Sequence, residues 1–430
     1  MTIEVNATHD PARRSWVESA NAADTDFPIQ NLPFGVFRAG GRTRGGVALG
    51  DMIIDLAALC DAGLLTGAAE EACAAAAGET LAPLFACPPA SVSALRATLS
   101  DLFREGGTGP RAQLESLLVP MAQADVLMPL KPTAFTDFCT SMDHIRRMGG
   151  GPPKLSVMSL PVAYNGRASS VRASGTPVVR PCGQFETPPG SGNVQFGAEP
   201  LLDFELEFGV WLRGGNAIGE PVAIAEAEAM MFGCCLVNDW SARGIQFFES
   251  VLGPHLGKSF LTTISPWIVT MEALAPFRVP GRGREEDEPA IQPNLLGNED
   301  RERGSIDIAL TADLATAAGT KLRIVETNLR ELFWTLAQMV THQASNGAPL
   351  EAGDLVATGT VSGAAEAARA CLAEISLRGG GSITLPDGST RQMLEDGDTL
   401  TLRGRAQAEG YVPIGFGACS GTIRPAKVAA

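Results

Sequence analysis

The stretch LLDFELEFGVW, residues 201–211, alternates with the period of an extended chain. Phe204, Leu206, Phe208 and Val210 recur every second residue, so on a β-strand they share one face while Glu205 and Glu207 share the other. Residues two apart on a strand lie about 6.5–7 Å from Cα to Cα, which lets both carboxylates aim at one point. Two readings stay open from these residues alone. The glutamates lie either on a solvated strand face, each meeting a Lys or Arg, or in half of an oxygen cage around a cation.

Strand patterns continue on both sides of this stretch. PVAYN, PWIVTM, SIDIALTADL, LVATGT, CLAEISL, SITLPDG and TLTLRGRA all read as strands separated by Pro and Gly. Two helices interrupt them. One is predicted near Pro221 to Gly233 with Pro at its start, the other near Asn328 to Ala344 with Thr327 as cap. The charged, Pro/Gly-rich segment 279–305 reads as an exposed loop or hairpin excursion. The pattern implies a mainly β (α+β) domain of large size.

The first part of the chain differs. FGVFRAGG and GVALGDMIIDLAAL carry strand signals, followed by helical stretches from Leu64 to Ala77 and near Ser91 to Leu102. The change near AQADVLMPLKP, residues 122–132, places a boundary near residue 125, giving units 1–125 and 126–430.

The 33 basic and 48 acidic residues leave a net charge of -15, which argues against nucleic acid or an anionic membrane as partner and for small molecules or proteins. No apolar run reaches the ~18 residues of a membrane helix, and the N-terminus lacks a signal-peptide layout, so a cytoplasmic protein is expected. Nine cysteines without a C-x-x-C pair read as reduced thiols, not structural zinc ligands.

Other candidates join the two glutamates. Asp239, in GCCLVNDWSARGIQ, follows a buried-strand pattern and reads either as a ligand or as an Asx-type cap, with Arg243 and Gln246 close behind. Asp137, in AFTDFCTSMDHIRR, stands seven residues before His144, one of four histidines. Four carboxylates suit a hard ion, Mg²⁺ or Ca²⁺, with Mn²⁺ as a third candidate. His144 reads either as a structural histidine or as a base if a carboxylate fixes its tautomer; Glu374, in CLAEISL, is a candidate for that carboxylate or an outward strand residue.

Six separated motifs carry a resemblance: LPVAYNGRASSV (160–171), LLDFELEFGVWL (201–212), VNDWSARGIQ (237–246), LGKSFLTTISPW (256–267), VATGTVSG (356–363) and DGD with GYVPIGFGACSG (396–398 and 410–421). Together with DFPIQNLPFGVF (26–37) and LGDMIIDLAAL (49–59), they resemble the fumarylacetoacetate hydrolase family, in order and over nearly the whole chain. The resemblance implies a small N-terminal SH3-like β-barrel, a large C-terminal β-roll and a homodimer acting in tyrosine and phenylalanine catabolism. It implies metal ligation by Asp137, Glu205, Glu207 and Asp239, with Lys258 and Thr262 flanking an additional magnesium site. It also implies His144 as general base oriented by Glu374, with Arg243, Gln246 and Lys258 binding the reacting oxygens and Tyr164 and Thr360 touching substrate. The implied reaction is hydrolysis of a carbon–carbon bond in a 1,3-diketone, fumarylacetoacetate or a related β-diketo acid. A His-activated water attacks one carbonyl, and the leaving carbon departs as an enolate held by the metal.

The chain departs from the family in one region. Cys139 and Ser250 stand where the family usually has tyrosines, and the short glycine-rich HIRRMGGGPPKL leaves the substrate-carboxylate arginine without an aligned counterpart; Arg146 or Arg147 are nearby candidates. Lost phenolic donors at Cys139 and Ser250 point to a less polar β-diketone as an alternative substrate. A related metal-enolate decarboxylase or isomerase, and a metal-dependent binding protein without turnover, are further alternatives.

Overall fold

The computed structural model describes residues 3–107 and 109–427. The opening stretch forms strands Leu202–Asp203 and Leu206–Leu212, and the chain changes partner at Phe204 and Glu205. Leu202–Asp203 pairs with Ser241–Ala242, whereas Leu206–Leu212 runs antiparallel to Met231–Asp239, with Leu206 opposite Asn238. Both faces are buried. Leu206, Phe208, Val210 and Leu212 enter the main core, while Trp211, on the glutamate side, packs edge-on against Phe85 of the N-terminal part at 6.4 Å. The face bearing the glutamates is therefore covered by protein rather than water.

Around this strand lies a mixed sheet ordered Val162–Asn165, Phe135–Cys139, Leu355–Ala357, Leu206–Leu212, Met231–Asp239, Thr262–Ile264 and Val171–Ala173. Val269–Thr270 also pairs with Met231–Asp239. A second sheet contains Lys321–Asn328, Ile308–Ala315, Thr399–Ala406, Cys419–Arg424 and Val178–Val179 in that order. Leu310, Leu400 and Leu402 of the second sheet, with Phe416 in the loop before Cys419–Arg424, share one core with Phe208, Val210 and Leu236 of the first. At about 25 cal/mol per Å² of apolar surface buried, this seam contributes strongly to stability.

The N-terminal part is a five-stranded antiparallel sheet, ordered Leu118–Pro120, Met52–Asp55, Arg42–Leu49, Phe34–Ala39 and Asp125–Leu127. Gly40 and Gly41, both with positive φ, close the Phe34–Ala39/Arg42–Leu49 hairpin, a two-residue turn that side chains with a Cβ resist. The helical stretches expected here form as Gly67–Ala76 and Pro89–Phe103.

Three local expectations need correction. CLAEISL is not a strand: Leu372–Ile375 is a short helix, whose first N–H groups, on Leu372 and Ala373, are taken by the Asp203 carboxylate. The helix expected over 221–233 is confined to Ile224–Ala227 and a tight turn Glu228–Met230, because Met231 onward is the apolar central strand. The helix expected from Asn328 forms only a tight turn, Leu329–Glu331, before the helix proper begins at Leu336, capped by Thr335 and Gln338; Thr327 lies in a strand, and Phe333 is held out of the helix by its N–H to the Thr140 carbonyl.

Segment 279–305 does return on itself through paired Arg278–Val279 and Ser305–Ile306. It is exposed or half-exposed over nearly all its length, as expected of such an excursion, and is anchored where Leu295 is buried against Met142, Phe333 and Trp334.

Candidate metal and catalytic site

Strand register assembles the site. Asp137 lies beside Ala357 in a parallel pair, Gly209 beside Ala357 on its other side, and Glu207 beside Val237, two residues before Asp239. Glu205 is tied in by its carbonyl, which accepts the Asp239 N–H at 3.2 Å. Carboxylate oxygens of Asp137, Glu205, Glu207 and Asp239 all come within 4.8 Å of one another, and all four residues are buried. The four carboxylates gathered on sequence grounds thus stand in one cluster.

Their hydrogen bonding is uneven. Lys258 Nζ donates to Glu205 Oε2 at 2.5 Å and Asp239 Oδ2 at 2.8 Å. The Tyr164 hydroxyl donates to Asp239 Oδ2 at 2.7 Å, and Thr262 Oγ1 to Asp239 Oδ1 at 3.1 Å. In contrast, Asp137 Oδ1 and both Glu207 oxygens are buried with no partner. A buried acceptor without a donor is costly, and three in one cluster mark a place for a cation.

The electrostatics agree. Burial, then the charges of the neighbouring carboxylates, pushes the Asp137 and Glu207 carboxyls well above the ordinary range. For Glu205 burial acts upward too, but Lys258, Arg243 and His144 outweigh it and hold the carboxyl low. Burial works against the Lys258 ammonium, yet Asp239 and Glu205 raise it well above the ordinary lysine range, so it stays charged. An all-oxygen donor set with surplus negative charge fits a hard divalent ion of the Mg²⁺, Ca²⁺ or Mn²⁺ type, and it offers no imidazole or thiolate to a softer metal.

Beside the cage, His144 sits on the helix Met142–Gly149, whose Ser141 cap accepts the His144 N–H at 3.1 Å. Its Nδ1 is 2.7 Å from Glu374 Oε1. Glu374 also receives Ser362 Oγ at 2.5 Å and Arg147 Nη1 at 2.9 Å. Burial pushes this carboxyl up, but the bonds from His144, Ser362 and Arg147 overcome it and hold the group at about 2. Glu374 is therefore an anion at neutral pH. Cys371 also lies close to this pair, but the filled carboxylate makes the group a brace instead of a second cage.

Arg243, the first residue of the helix Arg243–Glu249, donates Nε to Asp203 at 2.9 Å and Nη1 to Gln246 Oε1 at 3.0 Å, and its Nη2 lies 2.8 Å from Glu205. The Glu199 carboxylate takes the N–H groups of Gly244 and Ile245, both at 2.9 Å, and so fixes how that helix starts. A Cβ on Gly244 would come within 2.7 Å of Glu199, which accounts for glycine there.

The remaining sequence candidates divide. Cys139 is half-buried at the end of Phe135–Cys139, where burial and the Glu205 and Asp137 charges push its thiol up to about 12. Thr360 is buried just beyond Gly359, a left-handed glycine that lets this loop meet the Phe138–Cys139 backbone. Ser250 is not brought in: it is exposed, and its hydroxyl donates to the Gln246 carbonyl of its own helix. Arg147 is committed to Glu374, Gly363 and Ala364, and Arg146 lies 3.9 Å from Glu288.

Sequence reading missed Asp203, Glu199, Ser362 and the bracing role of Arg147. Only Asp203 had a visible signal: it precedes Glu205 and Glu207 in the same every-second-residue alternation. A cleft of about 350 Å³, bordered by Tyr164, Lys258 and Thr262 together with Arg167 and His255, opens next to the cage.

Residues 133–424 match the family described as fumarylacetoacetate (FAA) hydrolase C-terminal, and residues 30–129 match fumarylacetoacetase N-terminal. The chain is 40 % identical to the fumarylacetoacetase of Oryza sativa subsp. japonica, with 96 % of this chain and 97 % of the relative covered. It is 39 % identical to that of Homo sapiens, with 94 % and 98 % covered. Among solved structures, a fumarylacetoacetate hydrolase from psychrophilic Exiguobacterium antarcticum shares the fold at a TM-score of 0.51, with 16 % identity and 92 % and 100 % coverage.

Proposed function

The chain belongs to the fumarylacetoacetate hydrolase family, and from that premise we propose that it hydrolyses the carbon–carbon bond between the two acyl halves of fumarylacetoacetate with the help of a divalent metal. One observation carries the reading: a cage of four carboxylates with three orphaned oxygens stands beside a His–carboxylate pair that is fully braced.

The reaction must activate water and stabilise charge on two carbonyl oxygens. The Glu374 carboxylate accepts Nδ1–H of His144, which leaves Nε2 with its lone pair free to take a proton from water. Gln246 accepts from Arg243 through Oε1, which leaves its amide N–H groups available to the developing oxyanion in this reading. Lys258 spends two N–H groups on Glu205 and Asp239 and has a third for a substrate oxygen. Asp137, Glu205, Glu207 and Asp239 would hold the metal, with Thr262 and Lys258 beside Asp239; when bound it supplies Lewis-acid polarisation of the 1,3-dicarbonyl. Tyr164, Thr360 and Cys139 border the substrate in this reading.

A less polar β-diketone is a second reading, favoured by Ser250 facing away and Arg147 being committed to Glu374, which remove two grips on an acidic tail. Assembly as a homodimer, a cytoplasmic location and an SH3-like N-terminal unit of residues 1–125 ahead of the catalytic 126–430 complete the proposal. Among the described residues no helix is long and apolar enough to cross a membrane.

The test is mass spectrometry of products from a panel of 1,3-diketones, with Mg²⁺ or Ca²⁺ and with EDTA. Fumarate carrying one oxygen from labelled water in its new carboxyl, together with acetoacetate, both formed only with metal, is expected. Loss of CO₂, or isomerised substrate without cleavage, would overturn it.

A further inference from the structure

We propose that Asp203 is the positioning residue that sets the base pair and the oxyanion arginine in register with each other, an inference that rests on reading His144 and Arg243 in those roles. Asp203 is fully buried on the same alternating stretch as Glu205 and Glu207, yet its surroundings are the opposite of theirs. Glu207 has two orphaned oxygens. Asp203 Oδ1 accepts the N–H of Phe204 at 2.8 Å and of Leu372 at 2.7 Å, and Oδ2 accepts the N–H of Ala373 at 3.0 Å and Nε of Arg243 at 2.9 Å. A carboxylate has about four acceptor positions, and here every one is taken. No position remains for a metal, a water or a substrate.

The donors come from two pieces of machinery. Leu372 and Ala373 open the short helix Leu372–Ile375, whose next residue is Glu374, the partner of His144. Arg243 follows directly on Ser241–Ala242, the strand paired with Leu202–Asp203, and Arg243 N–H is itself held by the Leu201 carbonyl at 3.0 Å. One carboxylate thus fixes the backbone that carries Glu374 and the guanidinium that faces Glu205 and Gln246. The two groups lie 131 positions apart in the chain, and no other acidic side chain among the described residues bonds to both. Charge-assisted bonds to a buried carboxylate are short and directional, which makes this a rigid joint.

The consequence is geometric. Displacing a catalytic group by about 1 Å costs on the order of 100-fold in rate. Asp203→Asn presents an NH₂ group to two of the four donors whichever way the amide turns. With fumarylacetoacetate and Mg²⁺ or Ca²⁺ supplied, the expected result is kcat lowered about 100-fold with KM within a few-fold, and a displaced acid limb in the pH profile of kcat/KM. Glu374→Gln should cost little more in the Asp203→Asn background, because both act on one base. Nitrogen NMR of the imidazole should show His144 leaving a single tautomer in Asp203→Asn.

If Asp203→Asn does not fold, Asp203→Glu keeps the charge and shifts the carboxylate by one methylene, and the same readouts apply. Wild-type kcat, pH profile and imidazole shifts in the folded variant, or a full multiplicative loss on adding Glu374→Gln, would overturn the proposal. Wild-type protein inactive on fumarylacetoacetate would overturn the functional reading instead, and the NMR measurement would still decide whether Asp203 holds His144.

Discussion

His144 Nδ1 lies 2.7 Å from Glu374 Oε1, although the two residues are 230 positions apart in the chain. The contact joins a helix capped by Ser141 to a helix capped by Asp203, and Ser141 also donates to the carbonyl of Ser362, whose hydroxyl reaches Glu374. His144 and Glu374 are therefore locked through a closed loop of hydrogen bonds, not through a single pair.

That loop makes stability depend on acid. Glu374 is held at about 2 against an ordinary value of 4.5. A carboxyl lowered in the folded state contributes stability that is present above about 4.5 and lost as pH falls toward 2. At 1.36 kcal/mol per unit the contribution is about 3 kcal/mol. Urea midpoints at about pH 6 and about pH 3 should therefore converge for wild-type and Glu374→Gln as pH falls, with the variant weaker at pH 6. The same variant should lose about 100- to 10,000-fold in kcat, because the imidazole tautomer is no longer fixed. A variant that kept the wild-type pH dependence would refute this account of the brace.

The cage should show itself without any turnover. Adding Mg²⁺ or Ca²⁺ at about 100 times its dissociation constant stabilises a folded protein by about 2.7 kcal/mol, so thermal scans with metal and with EDTA should separate clearly. Glu207→Gln removes a carboxylate whose oxygens have no protein partner. Its melting temperature in EDTA should match or exceed that of wild-type, and the shift on adding metal should be lost. A retained shift would place the ion elsewhere.

Lys258 is the cage's internal counter-charge, buried and shared between Glu205 and Asp239. Lys258→Met leaves two buried carboxylates short of a cation, a change that typically costs about 3–5 kcal/mol. Metal should restore much of that loss, since it replaces the missing positive charge, while activity should stay low. Denaturant titration with and without metal measures both parts. Equal destabilisation in the two conditions would count against Lys258 as a partner of the cage.

Legibility in the sequence followed the range of the forces. The alternation of Phe204, Leu206, Phe208 and Val210 is local, and extended chain with Glu205 and Glu207 on its other side could be read from it, but neither what the glutamates face nor the change of partner at Phe204 and Glu205. The family motifs supplied Asp137, Asp239, His144 and Glu374, which no spacing brings together; sheet register does that. The helix under Glu374 was unreadable because its capping carboxylate, Asp203, sits 169 positions away from Leu372. Thr335 lost to Thr327 as the expected cap for a similar reason: the contact between Phe333 and Thr140 that delays the helix is tertiary. Even Asp203 was passed over, although it completes the series Asp203, Glu205, Glu207, since nothing local distinguishes a saturated carboxylate from an orphaned one.

In the proposed reading, substrate choice turns on Cys139. It lies two residues past Asp137 on one strand, so the two side chains share a face and Cys139 borders the cage. A thiol raised to about 12 stays neutral and is a weak donor, whereas the tyrosine the family usually places here offers a strong one. A hydrogen bond to a charged group is worth about 1.5–3 kcal/mol, or roughly 10- to 100-fold in affinity. Cys139→Tyr should therefore lower KM for fumarylacetoacetate by about 10-fold or more while leaving kcat/KM for an uncharged β-diketone unchanged or reduced, because the larger ring fills space that an apolar acyl group would use. Parallel steady-state kinetics on the two substrates decide the matter. Equal changes on both would show that Cys139 does not face the acidic end, and would move the search for its grip to Arg167 and His255 on the adjoining cleft.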